Sequence, residues 1–210
     1  MNYFKFLFQI AALCVALTAT NALRAEAVVS EKVISEIKAG LLAHDVPDLW
    51  SGFQAEGGGI DLHGEVRFRH VDWLFGDNAF LFSLAPAVGA TINTSGKTSK
   101  LYFDVMKIQV GRARPGDNQR GLFLSVGLGV AVHDGAVSAK FIRQNRRIVE
   151  TTSDHKLLGS RALFHIPIEI GYQFRPHSTL SVYFEHVSNA FTAPENEGLD
   201  SIGLRYGYRF

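Results

Sequence analysis

Apolar and polar residues alternate along most of this chain, with the period of a strand rather than of a helix. In GIDLHGEVRFRHV, Leu62, Val66 and Phe68 fall on one face, while Asp61, His63, Glu65, Arg67 and Arg69 fall on the other. RGLFLSVGLGVAVHD places Leu122, Leu124, Val126, Leu128, Val130 and Val132 opposite Ser125, Gly127, Gly129 and His133. ALFHIPIEIGYQF sets Phe164, Ile166, Ile168, Ile170, Tyr172 and Phe174 against His165, Glu169 and Gln173. A soluble sandwich would alternate in the same way, so the lengths decide. Several runs pass ten residues, whereas globular strands cluster near five or six and a bilayer requires about 9 to 11 tilted residues. The less apolar faces carry Arg, Glu, His and Gly, as a polar barrel interior does.

The pattern predicts eight strands, at about 33–44, 60–71, 79–93, 99–112, 120–133, 158–174, 178–189 and 199–210. The fourth, KLYFDVMKIQVGR, alternates poorly, with Asp104 and Lys107 on opposite faces. Connections after odd strands run about 15, 6, 24 and 9 residues, and those after even strands about 7, 7 and 3. Long loops outside and short periplasmic turns are the expected asymmetry of a transmembrane barrel. The expected fold is therefore all-β, an eight-stranded antiparallel transmembrane β-barrel with a filled lumen. Its last strand, DSIGLRYGYRF, keeps Ile202, Leu204, Tyr206, Tyr208 and Phe210 on one face. That alternating end closing on an aromatic residue resembles the signal by which the barrel assembly machinery recognises bacterial outer-membrane proteins.

The first residues fit this destination. MNYFKFLFQIAALCVALTATNALRAEA has a lysine, a 14-residue apolar run from Phe6 to Ala19, and an A-x-A arrangement at Ala25 and Ala27. Such a run is short for a spanning helix and reads as a secretory signal peptide, cleaved after Ala25 or Ala27. The expected division is a signal peptide over 1–27 and one barrel domain over 28–210. Removing Lys5, Arg24 and Glu26 from the 21 basic and 20 acidic residues leaves 19 of each, a balance that argues against nucleic acid as a partner. Cys14, the single cysteine, lies inside the signal, so the mature chain has neither disulfides nor thiol chemistry.

The stretch EHVSNAFTAPENEGLD breaks the apolar rows. In STLSVYFEHVSNA the outward row Leu180, Val182, Phe184 continues to His186 and Ser188, and the outward row of the last strand continues to Asp200. Adjacent antiparallel strands bring these three polar residues together at the rim, pointing toward lipid, where polar groups cost less than at the midplane. A serine hydroxyl needs an imidazole to accept its proton, and the imidazole needs a carboxylate to fix its tautomer. His186, Ser188 and Asp200 are thus a candidate triad. Glu185 falls on the opposite face, and Asn189 or backbone N–H groups of the loop are candidates for stabilising the oxyanion. A non-enzymatic small barrel with a structural or adhesive role is the alternative, although it gains nothing from polar residues on a lipid face.

HVSNAFTAPENEGLDS resembles the signature of the PagL-type lipid A 3-O-deacylases, H-x-S-N-A followed, fourteen residues after the His, by an acid in a G-[IL]-[ED]-S context. The resemblance implies a cofactor-free serine esterase of the bacterial outer membrane that hydrolyses the acyl ester at position 3 of lipid A, with lipopolysaccharide as its substrate. It implies His186 as base, Ser188 as nucleophile, Asn189 as the motif asparagine and Asp200 as the acid. Two positions depart from the family pattern. Asp200 stands where well-known members have Glu, which shortens the reach by one methylene, and Phe191 stands where they have Gly.

Other features read more simply. His63, His133 and His165 fall on inward rows without the compact spacing of a metal site, so a polar lumen network is expected. Residues 136–156 are the largest polar insertion and read as an extracellular loop, whose Arg143, Arg146 and Arg147 are solvated or touch anionic lipopolysaccharide. Trp50 and Trp73 lie near strand ends, where an aromatic girdle is expected.

Overall fold

The structure, a computed structural model, describes residues 26–29, 31–51, 55–75, 80–111, 120–144, 147–150 and 154–210. Residues 1–25, which hold most of the expected signal peptide, lie outside the described residues. The described elements are twelve strands: β1 (Glu26–Val29), β2 (Ile34–Ala43), β3 (Ile60–Phe68), β4 (Val71–Phe75), β5 (Phe80–Asn93), β6 (Lys100–Gly111), β7 (Gly121–His133), β8 (Phe141–Gln144), β9 (Arg147–Glu150), β10 (Ala162–Arg175), β11 (Ser178–Ser188) and β12 (Leu199–Arg209).

Eight of these close a ring of antiparallel neighbours, β2-β3-β5-β6-β7-β10-β11-β12, with β12 pairing back onto β2. The expected eight-stranded barrel is therefore present, and its strands begin and end close to where the alternation places them. Two short strands extend the ring. β4 follows β3 after a break at Arg69 and His70 and continues the pairing to β5, while β1 lies beside β4. The 136–156 insertion was expected as a plain loop, but it carries the β8–β9 hairpin. Arg146 lies outside the described residues, as do the side chains of Arg143 and Arg147.

The weak alternation of β6 has a local cause. Its register against β7 shifts between Asp104 and Met106, a β-bulge in which Val105 and Met106 both turn outward. The expectation that Asp104 and Lys107 face opposite sides is corrected accordingly. An extra residue in one strand resets the parity, and both side chains lie buried in the lumen.

Outside, the wall is apolar and exposed along Leu122, Leu124, Val126, Leu128, Val130 and Val132, and again along Leu180, Val182, Leu204, Tyr206 and Tyr208. Inside, charged groups pair. Lys38 bonds both carboxylate oxygens of Glu169 at 2.8 and 2.7 Å, and Lys107 both of Glu65 at 2.6 and 2.7 Å. Arg205 bridges Glu65 and Glu169, with its guanidinium 3.6 Å from the Tyr183 ring centroid. His63 meets the Tyr102 hydroxyl, and His165 joins Asp104 to Glu185. In a low-dielectric lumen such groups are tolerated only when paired, and together they fill it. Toward the loop end the polar filling gives way to an apolar cluster of Tyr102, Ala131, Leu158, Leu163, Val187 and Leu199. Val187 and Leu199 thereby anchor the inner side of the two strand ends whose outer side carries the candidate triad.

Candidate functional site

β11 and β12 set the site by their register. His186 lies directly across from Asp200, and Phe184 from Ile202 two pairs below, while on the other side Ser188 faces Phe164 and His186 faces Ile166 of β10. Side chains of directly opposed residues are close neighbours, so the register brings the imidazole and the carboxylate together without help from a long side chain. His186 Nδ1 is 2.7 Å from Asp200 Oδ1, and His186 Nε2 is 3.0 Å from Ser188 Oγ. An ionised carboxylate only accepts hydrogen bonds. Nδ1 therefore donates to Asp200, and Nε2 is left to accept the Ser188 hydroxyl proton. Asp in place of Glu costs no contact here, because residue 200 is already opposite residue 186.

The three polar residues lie on the outward row, but two of them are not open to lipid. Asp200 is fully buried and His186 is 6% exposed. Their cover is the start of the connection after β2, residues 44–51, which runs over the outer face of β12. Val46 N–H donates to the Asp200 carbonyl at 2.8 Å. Asp200 Oδ2 then accepts from Trp50 N–H at 2.6 Å, Ser51 N–H at 2.7 Å and the Ser51 hydroxyl at 3.0 Å. Trp50 is not a free girdle residue. Its ring stacks on the His186 imidazole, with centroids 4.7 Å apart and planes 17° apart, and reaches Phe184 at 6.2 Å. Ser188 alone of the three keeps partial exposure.

Beyond Ser188 the chain turns sharply. Ala190 and Phe191 adopt left-handed conformations, with φ of 51° and 65°. The second of these is where the resembling family has Gly, the residue that takes this conformation without steric cost. Phe191 projects outward, 87% exposed. The amide of Asn189 donates to Leu158 O at 3.0 Å and also to Glu195 O. Both its hydrogens are taken, so the side chain ties the 189–198 loop to the 134–161 connection, and backbone N–H groups remain as candidate oxyanion donors. Glu185 points into the lumen, where Lys100 lies 2.9 Å away and Thr91 donates to it at 2.9 Å.

A second ionic cluster supports the covering connection. His44 lies between Asp61 at 3.0 Å and Glu56 at 2.9 Å. Burial opposes its charge, but the hydrogen bonds to the two carboxylates prevail and hold its pKa up at about 9. Burial pushes Glu56 upward, yet hydrogen bonds from His44, Thr98 and His155 prevail and hold it down at about 2.

Sequence reasoning missed Ser51, Asp45, Lys156 and Gly198 and read Trp50 only as a girdle residue, yet all five touch the candidate triad or its immediate supports. They sit in connections, where no period marks one position from the next.

The family model described as Lipid A 3-O-deacylase (PagL) matches residues 41–209, a span that contains the three candidate residues and the covering residues 44–51. Among solved structures, the outer membrane enzyme PagL aligns with a TM-score of 0.59 at 19% identity, covering 84% of this chain and 100% of that chain. Neisserial surface protein A aligns at 0.44 and 8% identity, over 87% of this chain and 99% of its own. The N-terminal β-barrel domain of Pseudomonas aeruginosa OprF aligns at 0.40 and 11% identity, over 85% and 98%. No curated protein sequence matches the chain.

Proposed function

Since the chain belongs to the lipid A 3-O-deacylase (PagL) family, we propose that Ser188, His186 and Asp200 are the catalytic triad of this outer-membrane lipid A deacylase. The observation that carries the reading is the continuous hydrogen-bonded line from Asp200 through His186 to Ser188, at 2.7 and 3.0 Å. A structural or adhesive barrel has no use for such a line on its outer wall.

Ser188 Oγ attacks the carbonyl carbon of the ester at position 3 while His186 Nε2 takes its proton. The tetrahedral intermediate carries its negative charge on the former carbonyl oxygen, stabilised by backbone N–H groups of the loop that Asn189 holds. Collapse breaks the bond to the sugar oxygen, which leaves with the proton from His186. Water then attacks the acyl-serine, again through His186, and releases the fatty acid and Ser188. Base, nucleophile and acid are all supplied by the chain, so the mechanism runs without metal or cofactor. Lipid A in the outer leaflet presents its esters beside the barrel wall, which is why an outward nucleophile serves. The leader ends after Ala25 or Ala27, of which cleavage after Ala25 leaves β1 whole, and the Phe210 row addresses the chain to the barrel assembly machinery. Mass spectrometry of lipid A from cells expressing the protein or its Ser188→Ala variant tests the reading. Loss of one 3-linked acyl chain is expected with the first and not with the second.

A further inference from the structure

Lys156 lies in the 134–161 connection with its ammonium group buried. It donates to Asp45 Oδ1 at 2.8 Å, to the Ser51 hydroxyl oxygen at 3.0 Å and to the Gly198 carbonyl at 2.7 Å. An ammonium group has three donors and no acceptor, so Lys156 is saturated. Three connections, 44–59, 134–161 and 189–198, meet on this one nitrogen. Asp45, its ion-pair partner, also accepts the Asp200 backbone N–H at 3.3 Å.

The consequence falls on Ser51. A hydroxyl has a single hydrogen, and because its oxygen must accept from Lys156, that hydrogen is directed to the other neighbour, Asp200 Oδ2, at 3.0 Å. From the other side the bonds also run toward the carboxylate. The carboxylate accepts from Nδ1, and Nε2 accepts from Ser188. Without the ammonium, Ser51 is free to rotate its hydrogen away, and Asp200 loses a charge-assisted bond while Trp50 and Ser51 N–H keep theirs.

We propose that Lys156 is a positioning residue for deacylation. Acting through the Ser51 hydroxyl, it fixes the hydrogen bond into Asp200 Oδ2 and so holds the carboxylate with Oδ1 turned to His186 Nδ1. The inference rests on the triad reading of Ser188, His186 and Asp200. Lys156 touches no reacting atom, so its effect belongs in kcat, with KM for the lipid left alone.

The test uses the full chain in detergent, with circular dichroism to verify folding and 3-O-acylated lipid A in mixed micelles as substrate. A hydrogen bond to a charged group is worth about ten- to hundredfold in an equilibrium, and Lys156→Met is expected to lower kcat by about that factor with KM changed less than about twofold. Ser51→Ala is expected to lower kcat in the same direction. In an Asp200→Asn background the residual rate should not fall further on adding Lys156→Met, because the residue through which Lys156 acts is already lost. A folded Lys156→Met protein with wild-type kcat, or losses from Lys156→Met and Asp200→Asn that multiply, overturns the proposal. Should Lys156→Met fail to fold, Ser51→Ala decides: unchanged kcat in that variant overturns it as well. Ser188→Ala runs alongside. Full activity there sinks the triad itself, whereas an inactive Ser188→Ala beside an unimpaired Lys156→Met removes only the role of Lys156.

Discussion

Gly198 packs against the edge of the His186 ring, and a β-carbon at residue 198 would lie 2.7 Å from His186 Cε1 and 3.0 Å from Ser51 Cβ. The ring cannot yield cheaply, because Asp200, Ser188 and the Trp50 stack hold it on three sides. We predict that Gly198→Ala folds but loses about a hundredfold in kcat, the scale on which small misplacements of reacting groups act. Steady-state kinetics on folded protein checks this, and unchanged kcat would mean that the imidazole is far less constrained than its neighbours imply.

Ser188→Ala and His186→Ala are each expected to reduce kcat/KM by about four orders of magnitude or more, and Asp200→Ala by less, as when members of a triad are removed one at a time. Asp200→Glu is expected to retain activity, since the resembling family places Glu there. Deacylation should persist when a chelator is added. Ready loss of activity with chelator would contradict the mechanism, as would full activity in Ser188→Ala.

The His44 cluster gives stability a pH dependence. His44 has a folded-state pKa of about 9 against 6.5 ordinarily, so its contribution is complete below 6.5 and is lost as pH rises through 9. Glu56 is held at about 2 against 4.5, so its contribution is present above 4.5 and is lost as pH falls through 2. Thermal midpoints should therefore be highest between those ordinary values and decline from 6.5 toward 9. We predict that His44→Gln lowers the midpoint at pH 6 and flattens the alkaline decline, and an unchanged slope in that variant would place the titration elsewhere.

Arg205 is the central cation of the lumen, bonded to Glu65 and Glu169 and lying over Tyr183. Removing one partner of a buried ionic network leaves the other charges uncompensated, at a cost of about 3–5 kcal/mol. Arg205→Met is expected to lower the urea midpoint by a corresponding amount while leaving kcat of the folded fraction intact. A midpoint within error of wild type would mean that Lys38 and Lys107 alone neutralise the two carboxylates.

The strands were legible because the two faces of the wall meet different surroundings, and each residue of β7 or β10 reports its side by its chemistry. The same logic put His186, Ser188 and Asp200 on one row and found their convergence. It failed in β6, where a single bulged residue between Asp104 and Met106 reversed the parity and made two lumen residues look opposed. It also failed to foresee the cover. The row assigned Asp200 to the outer face correctly, but whether that face meets lipid depends on a loop crossing it, and Trp50 and Ser51 carry no periodic mark. Phe191 shows a further limit: its left-handed backbone is a demand of the turn, visible in the sequence only as a departure from the glycine of the resembling family.

The partial exposure of Ser188 on the outer wall, with Phe164 beside it on β10, changes what concentration means for this protein. Its encounters take place within a leaflet, so the governing quantity is the mole fraction of acylated lipid among its lipid neighbours rather than an amount per volume. The leaving fatty acid enters that same film and stays a lateral neighbour of the wall. In the proposed mechanism that lipid and the water of the second step meet at the one side chain of Ser188, so each turnover joins two phases.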